Sequence, residues 1–161
     1  MVALRYVYVL ALAVWLGGMA VLGAIVAPAT FQVLQASAAN GRALAGELFG
    51  TILAWFHTVA YAAGTVLLLT LIARRLLGPR PRAFAFRAAL ILCMLAMAIY
   101  SGVVVLGTID AIQLEAGGLP SLLPQGDARR VRFDQLHQLA TRLMMANLAG
   151  TLVLLYWEAQ E

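Results

Sequence analysis

Residues 88–107 read AALILCMLAMAIYSGVVVLG and contain no charged side chain over twenty positions. A transmembrane helix needs about 20 predominantly apolar residues to cross the hydrocarbon core of a bilayer. Inside lipid every backbone polar group must be satisfied within the protein, and a run of this length favours a helix over a barrel strand. Residues 88–107 therefore predict a membrane-spanning helix.

Similar apolar runs occur along the whole chain, and together they predict four helices at about residues 6–27, 48–73, 86–107 and 133–157. The first is expected to end before Pro28, which lacks a backbone N–H and clashes with the preceding turn. An A-x-A-like stretch follows this run, so its removal as a leader stays an open alternative. We predict an all-α integral membrane protein, a four-transmembrane-helix bundle in which residues 1–161 form a single membrane domain.

The composition supports this fold class and excludes several functions. The chain is 63% hydrophobic and 11% charged, whereas soluble domains are roughly 45–50% apolar and about 25% charged. So apolar a chain is not expected to bind nucleic acid, and its first partner is the lipid bilayer. The sequence contains no phosphate loop, nucleophile elbow or dinucleotide fingerprint, so an enzyme is not the favoured interpretation.

The arginines predict the orientation. Arg74, Arg75 and Arg87 flank the short link at residues 78–82, and basic residues concentrate in short cytoplasmic loops. The link and both termini are therefore predicted to be cytoplasmic. The connections at residues 30–47 and 108–132 then lie outside, the second as a turn-rich lid. Helical spans suit a multi-pass protein of the bacterial cytoplasmic (inner) membrane, because bacterial outer-membrane proteins are typically barrels.

Two histidines mark the candidate site. His57 lies near the outer edge of the second predicted helix and His137 at the outer edge of the fourth, so both are expected at a similar depth. Two imidazoles on separate helices can ligate a haem iron on both faces or begin a copper or zinc site. The alternative for each is an interfacial histidine whose ring reaches headgroup water.

Helical spacing adds two residues to the predicted site. Asp134 and Met144 share a stripe with His137. Asp134 is predicted to fix the tautomer of His137. Met144 is predicted to be a soft ligand that favours Cu(I), although methionine in an apolar bundle also serves as ordinary packing. Further candidate sulfur donors are Met94, Met97 and Met145.

Arg142 is a charge inside the fourth predicted helix, where it must pair or reach the interface. The candidate partners are Asp110, Glu47 and an anionic group such as a haem propionate. A structural salt bridge with Asp110 is the simplest interpretation, and a cofactor-binding role is the alternative.

Three patterns carry a family resemblance: WLGG at residues 15–18, AP-x-x-F at residues 27–31, and F-x-x-L-H at residues 133–137. With these, the chain resembles small four-helix bacterial membrane proteins that share a domain of unknown function with human transmembrane protein 205. It is more distantly similar to the membrane domain of copper-resistance D proteins. The resemblance implies a link to metal or drug resistance and no established catalytic residue.

These observations leave three functional hypotheses open. The first is a membrane protein that binds or handles haem or copper through His57 and His137, with Arg142 as counter-charge. The second is a non-catalytic accessory subunit that packs against other membrane subunits or forms a homo-oligomer. The third is a small-solute transporter with a polar cavity that opens at the outer face.

Overall fold

The computed structural model describes residues 2–78 and 81–161 and is all-helical over them. The helices are α1 (Val2–Val21), α2 (Ala27–Ser37), α3 (Gly41–Leu77), α4 (Phe84–Ile99), α5 (Leu106–Ala116) and α6 (Ala128–Ala159). A π-helical turn, Leu22–Val26, joins α1 to α2, and a second, Tyr100–Val105, joins α4 to α5. A short 3₁₀ turn, Pro120–Leu122, lies in the connection to α6. Arg80, one of the arginines predicted to be cytoplasmic, lies outside the described residues.

Joined through the π-turns, the helices form four continuous rods that are long and apolar enough to cross a membrane. They are Val2–Ser37, Gly41–Leu77, Phe84–Ala116 and Ala128–Ala159, of 36, 37, 33 and 32 residues. At 1.5 Å per residue each is about 50 Å long, well beyond the roughly 30 Å of a bilayer core. The predicted four-helix architecture of a multi-pass membrane protein is confirmed at this level.

On one side of the bundle the helices are longer than predicted. The first helix does not stop at Pro28, because the π-turn before it displaces the backbone bonds that the proline ring would otherwise break. The predicted outer connections at residues 30–47 and 108–132 are mostly helix, and only 38–40 and 117–127 interrupt the rods. Hydropathy had marked only the most apolar part of each rod.

The four rods pack in a ring. The α1 helix contacts α3 and α6, and α4 contacts the same two helices. Consecutive rods are therefore neighbours, while α3 and α6 face each other diagonally. The core contains Trp15, Leu67, Met94 and Leu154, each at most 1% exposed.

The two ends of the bundle differ. We call the end with Val2, Leu77, Phe84 and Ala159 the termini end, because the first and last described helices begin and end there. The opposite end, where α2 turns into α3 and α5 connects to α6, is the hairpin end.

Candidate functional site

The His57 ring has a defined tautomer. Its Nδ1 lies 2.8 Å from the backbone carbonyl oxygen of Leu53, one turn earlier in α3. A carbonyl oxygen only accepts hydrogen bonds, so Nδ1 carries the proton and donates. In the neutral ring Nε2 then keeps its lone pair, which is the arrangement that a metal-binding or proton-accepting histidine requires.

A π-turn packs against this ring. The backbone at Gly102, in the second π-turn, runs so close to α3 that an added Cβ would lie 2.5 Å from His57 Cδ2 and would also collide with the Tyr61 hydroxyl. That hydroxyl donates to the carbonyl oxygen of Ala98 at 3.4 Å. Since π-turns inside α-helices are frequent at functional sites, the contact of His57 and Tyr61 with Gly102 marks this level of the bundle as a candidate site.

His137 has a different setting. It is exposed near the start of α6, and its ring stacks on Phe133 with centroids 6.3 Å apart and an interplanar angle of 13°. Asp134 is also exposed, and the described residues include no hydrogen bond between Asp134 and the His137 ring. His57 and His137 stand on diagonal helices. In the part of the chain that the structure describes, no three His, Cys, Asp or Glu side chains are grouped to hold a metal ion.

Arg142 and Asp110 are both exposed. Among residues 2–78 and 81–161, the ion pairs include neither of them, nor Glu47, so the predicted salt bridge is not formed. Their side chains point to the outside of the bundle, where Arg142 can reach headgroup water along its own helix.

A groove lined by three methionines lies between α1 and α6, at the level of the first π-turn. Its volume is about 380 Å³. Its lining residues are Met19, Ala20, Gly23, Ala24, Met144, Met145 and Leu148. The structure thus brings the predicted donors Met144 and Met145 together with Met19, which the sequence did not single out. Met94 lies instead in the core, and neither histidine lines the groove.

A buried charge cluster holds the termini end together, and sequence reasoning missed it. Glu158 of α6 is 2% exposed. Its carboxylate accepts from Arg5 Nε at 2.9 Å, from Arg74 Nη1 at 2.9 Å and from Arg87 Nη2 at 2.5 Å. One carboxylate therefore ties α6 to α1, α3 and α4.

Two further residues complete this cluster. Glu161 pairs with Arg74 and, at 2.8 Å, with Arg87. The Tyr8 ring lies 4.8 Å from the guanidinium carbon of Arg87, within cation–π range. The signal in the sequence was available: Glu158 and Glu161 are the only acidic residues at the predicted inner end, where the arginines concentrate.

Asp127 caps the start of α6. Its Oδ1 accepts from the Arg129 backbone N–H at 2.9 Å and its Oδ2 from Arg129 Nη2 at 2.8 Å. Hydrogen bonds from the Arg129 side chain, and then from its backbone, lower the pKa of Asp127 to about 2. Because the folded-state pKa is depressed, the cap contributes stability above the ordinary carboxyl pKa and loses it as the pH falls through about 2.

A carboxyl-resolved NMR titration checks this cap. We expect the Asp127 carboxyl to titrate at about 2 in the wild type. In Arg129→Gln the midpoint should move up towards the ordinary value, because the main charged donor is lost. The control is Arg132→Gln, a neighbouring arginine that is not bonded to Asp127, which should leave the midpoint unchanged. An Asp127 midpoint indifferent to Arg129→Gln would contradict the assignment.

Comparison with known proteins identifies a family. A family model described as Domain of unknown function (DUF4149) matches residues 10–117. The match contains His57 and Asp110 and ends at the turn after α5, so α6 lies beyond it. No curated protein and no solved structure matches the chain.

Proposed function

The chain belongs to the DUF4149 family, whose description assigns no activity, and we propose that it handles a soft metal ion, copper(I), in a groove between two of its helices. The observation that carries the proposal is the groove between α1 and α6, in which Met19, Met144 and Met145 line one space of about 380 Å³. Thioether sulfur is a soft donor that favours Cu(I) over harder ions. The groove holds three such donors in an otherwise apolar wall.

His57 supports the same proposal from the other side of the bundle. Its Nε2 is left with a free lone pair by the Nδ1–H bond to Leu53, and imidazole suits copper as well. We assign it as a separate candidate donor on α3, outside the methionine groove. His137, exposed in the first turns of α6, stays a predicted ligand that lies outside the groove.

Haem fits the described residues less well than copper. Ligation on both faces of one haem would need His57 and His137 to face each other across a shared gap. His137 is instead exposed on α6 and stacks on Phe133, whereas the His57 ring packs against Gly102. Arg142, exposed on α6, would keep a role only as counter-charge to a propionate.

The orientation belongs to the proposal. The described arginines number five at the termini end (5, 74, 75, 82 and 87) and four at the hairpin end (42, 129, 130 and 132). The positive-inside rule then favours cytoplasmic termini and an outward hairpin end, as expected for a bacterial inner-membrane protein. The methionine groove would lie in the outer half of the bilayer. The resemblance to transmembrane protein 205 and copper-resistance D proteins supports metal handling.

The test is an anaerobic Cu(I) titration of the purified protein against a chromophoric chelator. We expect the double variant Met144→Leu/Met145→Leu to bind Cu(I) at least about tenfold more weakly than the wild type, about 1.4 kcal/mol. Leucine keeps the volume and removes the sulfur. Met97→Leu, the same change outside the groove, is the matched control.

An absorption spectrum taken with His57→Ala and His137→Ala separates copper from haem. A Soret band that both substitutions abolish would replace copper by haem as the cofactor. A wild type that takes up neither haem nor Cu(I), or a double variant that binds Cu(I) like the wild type, would refute the proposal.

A second candidate function, the accessory subunit, has one observation in its favour. Leu114 and Leu122 are 83% and 73% exposed at the hairpin end, where the rods extend past the length of a bilayer core. Apolar side chains exposed to water favour a partner surface. If the purified protein binds neither Cu(I) nor haem, the accessory-subunit function becomes the favoured one.

A further inference from the structure

The hairpin end consists of two separate arms. Arm A is residues 27–53, α2 and the first turns of α3, and arm B is residues 106–137, α5 and the first turns of α6. Arm A is held by its own contacts, including the Phe31 and Phe49 rings with centroids 6.4 Å apart. Arm B is held by Arg130, whose Nη1 donates to the Leu123 carbonyl oxygen at 2.6 Å.

Little connects one arm to the other. Over residues 2–78 and 81–161, no side-chain hydrogen bond or ion pair joins arm A to arm B. The arms approach at Gly46, where an added Cβ would lie 3.5 Å from Leu119 Cδ2, an ordinary van der Waals distance. Each arm is therefore a packed unit, and the boundary between them is weak.

A π-turn stands at the base of one helix in each arm, while the other helix, α3 in arm A and α6 in arm B, continues into the bundle without a break. Leu22–Val26 leads into arm A and Tyr100–Val105 leads into arm B. A π-turn interrupts the regular hydrogen-bond ladder of the helix and is a point where long helices bend. In arm A, Pro28 stands two residues after the π-turn and has no backbone N–H to donate to the turn before it.

The termini end is the opposite case. There Glu158 bonds to arginines of the other three rods, and Arg87 is fully buried beside it. Separating α6 from its neighbours at this end would leave buried charges without partners, which is costly. Separating the helices therefore costs less free energy at the hairpin end than at the termini end.

We propose that the bundle opens from the hairpin end, with arms A and B separating about the two π-turns while the Glu158 cluster stays closed. The hinge of arm A also forms part of the methionine groove, since Gly23 and Ala24 line it. Opening of arm A would change the width of the groove. The proposal goes beyond metal handling and needs no bound metal to be true.

The experiment measures distances at both ends by double electron–electron resonance in lipid nanodiscs, in a Cys93→Ser background. Spin labels at Gln35→Cys and Leu114→Cys report across the arms, and labels at Leu76→Cys and Tyr156→Cys report across the termini end. All four positions are exposed. We expect the distance distribution across the arms to be at least about twofold wider than that across the termini end.

A hinge variant sharpens the test. Pro28→Ala restores a backbone N–H next to the first π-turn and should narrow the distribution across the arms, while the termini-end distribution stays unchanged. Circular dichroism and a monodisperse elution profile establish that the variant is folded. Two equally narrow or two equally broad wild-type distributions would overturn the proposal, and an unaltered width in folded Pro28→Ala would remove the first π-turn as its hinge.

Discussion

Replacing Glu158 by alanine is expected to lower the free energy of unfolding by about 1–3 kcal/mol, the cost of leaving buried hydrogen-bond donors without their acceptor. Glu158 is 2% exposed and Arg87 is 0% exposed. Without the carboxylate, the Arg87 guanidinium would keep Glu161 as its ion-pair partner. The same substitution releases α6 from Arg5 and Arg74. The loss should appear in denaturant titrations of the protein in mixed micelles.

The matched control is Glu115→Ala at the other end of the bundle. Glu115 is an exposed carboxylate on α5 whose side chain makes no ion pair among the described residues. Its removal should change the free energy of unfolding by no more than about 0.5 kcal/mol, as for most exposed sites. Equal losses for Glu158→Ala and Glu115→Ala would show that the Glu158 cluster contributes no specific stability.

The number of membrane-crossing helices was predictable from the sequence, and their ends were not. Runs such as residues 88–107 predict a helix because lipid leaves the backbone no other way to satisfy its polar groups. The continuation of the first rod through Pro28 was missed because a π-turn before the proline removes the expected break. The α5 helix was missed because it extends past the length that hydropathy detects.

The candidate site was predicted only in part, because it depends on which helices are neighbours. Spacing along one helix suggested a shared stripe for Asp134, His137 and Met144. In the structure Met144 lines the groove, whereas Asp134 and His137 are exposed. Met19 joins Met144 only because α1 packs against α6. Glu158 was overlooked for the same reason, since its partners come from three other rods.

The second large effect on stability is expected for a substitution at Gly64, in the middle of α3, where three helices approach closely. A Cβ added there would lie 2.5 Å from Leu95 Cδ2 and 2.8 Å from Trp15 Cζ3. Trp15 is 1% exposed and packed on all sides, so the ring cannot move away freely. We expect overpacking in Gly64→Ala to lower the free energy of unfolding by about 1–3 kcal/mol. The higher helix propensity of alanine offsets roughly 1 kcal/mol of this loss.

Gly17→Ala isolates the packing contribution. Gly17 lies in α1, and a Cβ there would meet nothing within 4 Å. This variant should gain helix propensity without a clash and unfold at the same or a higher denaturant concentration than the wild type. The difference between the two glycine variants then measures how tightly α1, α3 and α4 meet at Trp15. If Gly64→Ala were as stable as Gly17→Ala, the three helices would have to be packed more loosely than the distances at Gly64 require.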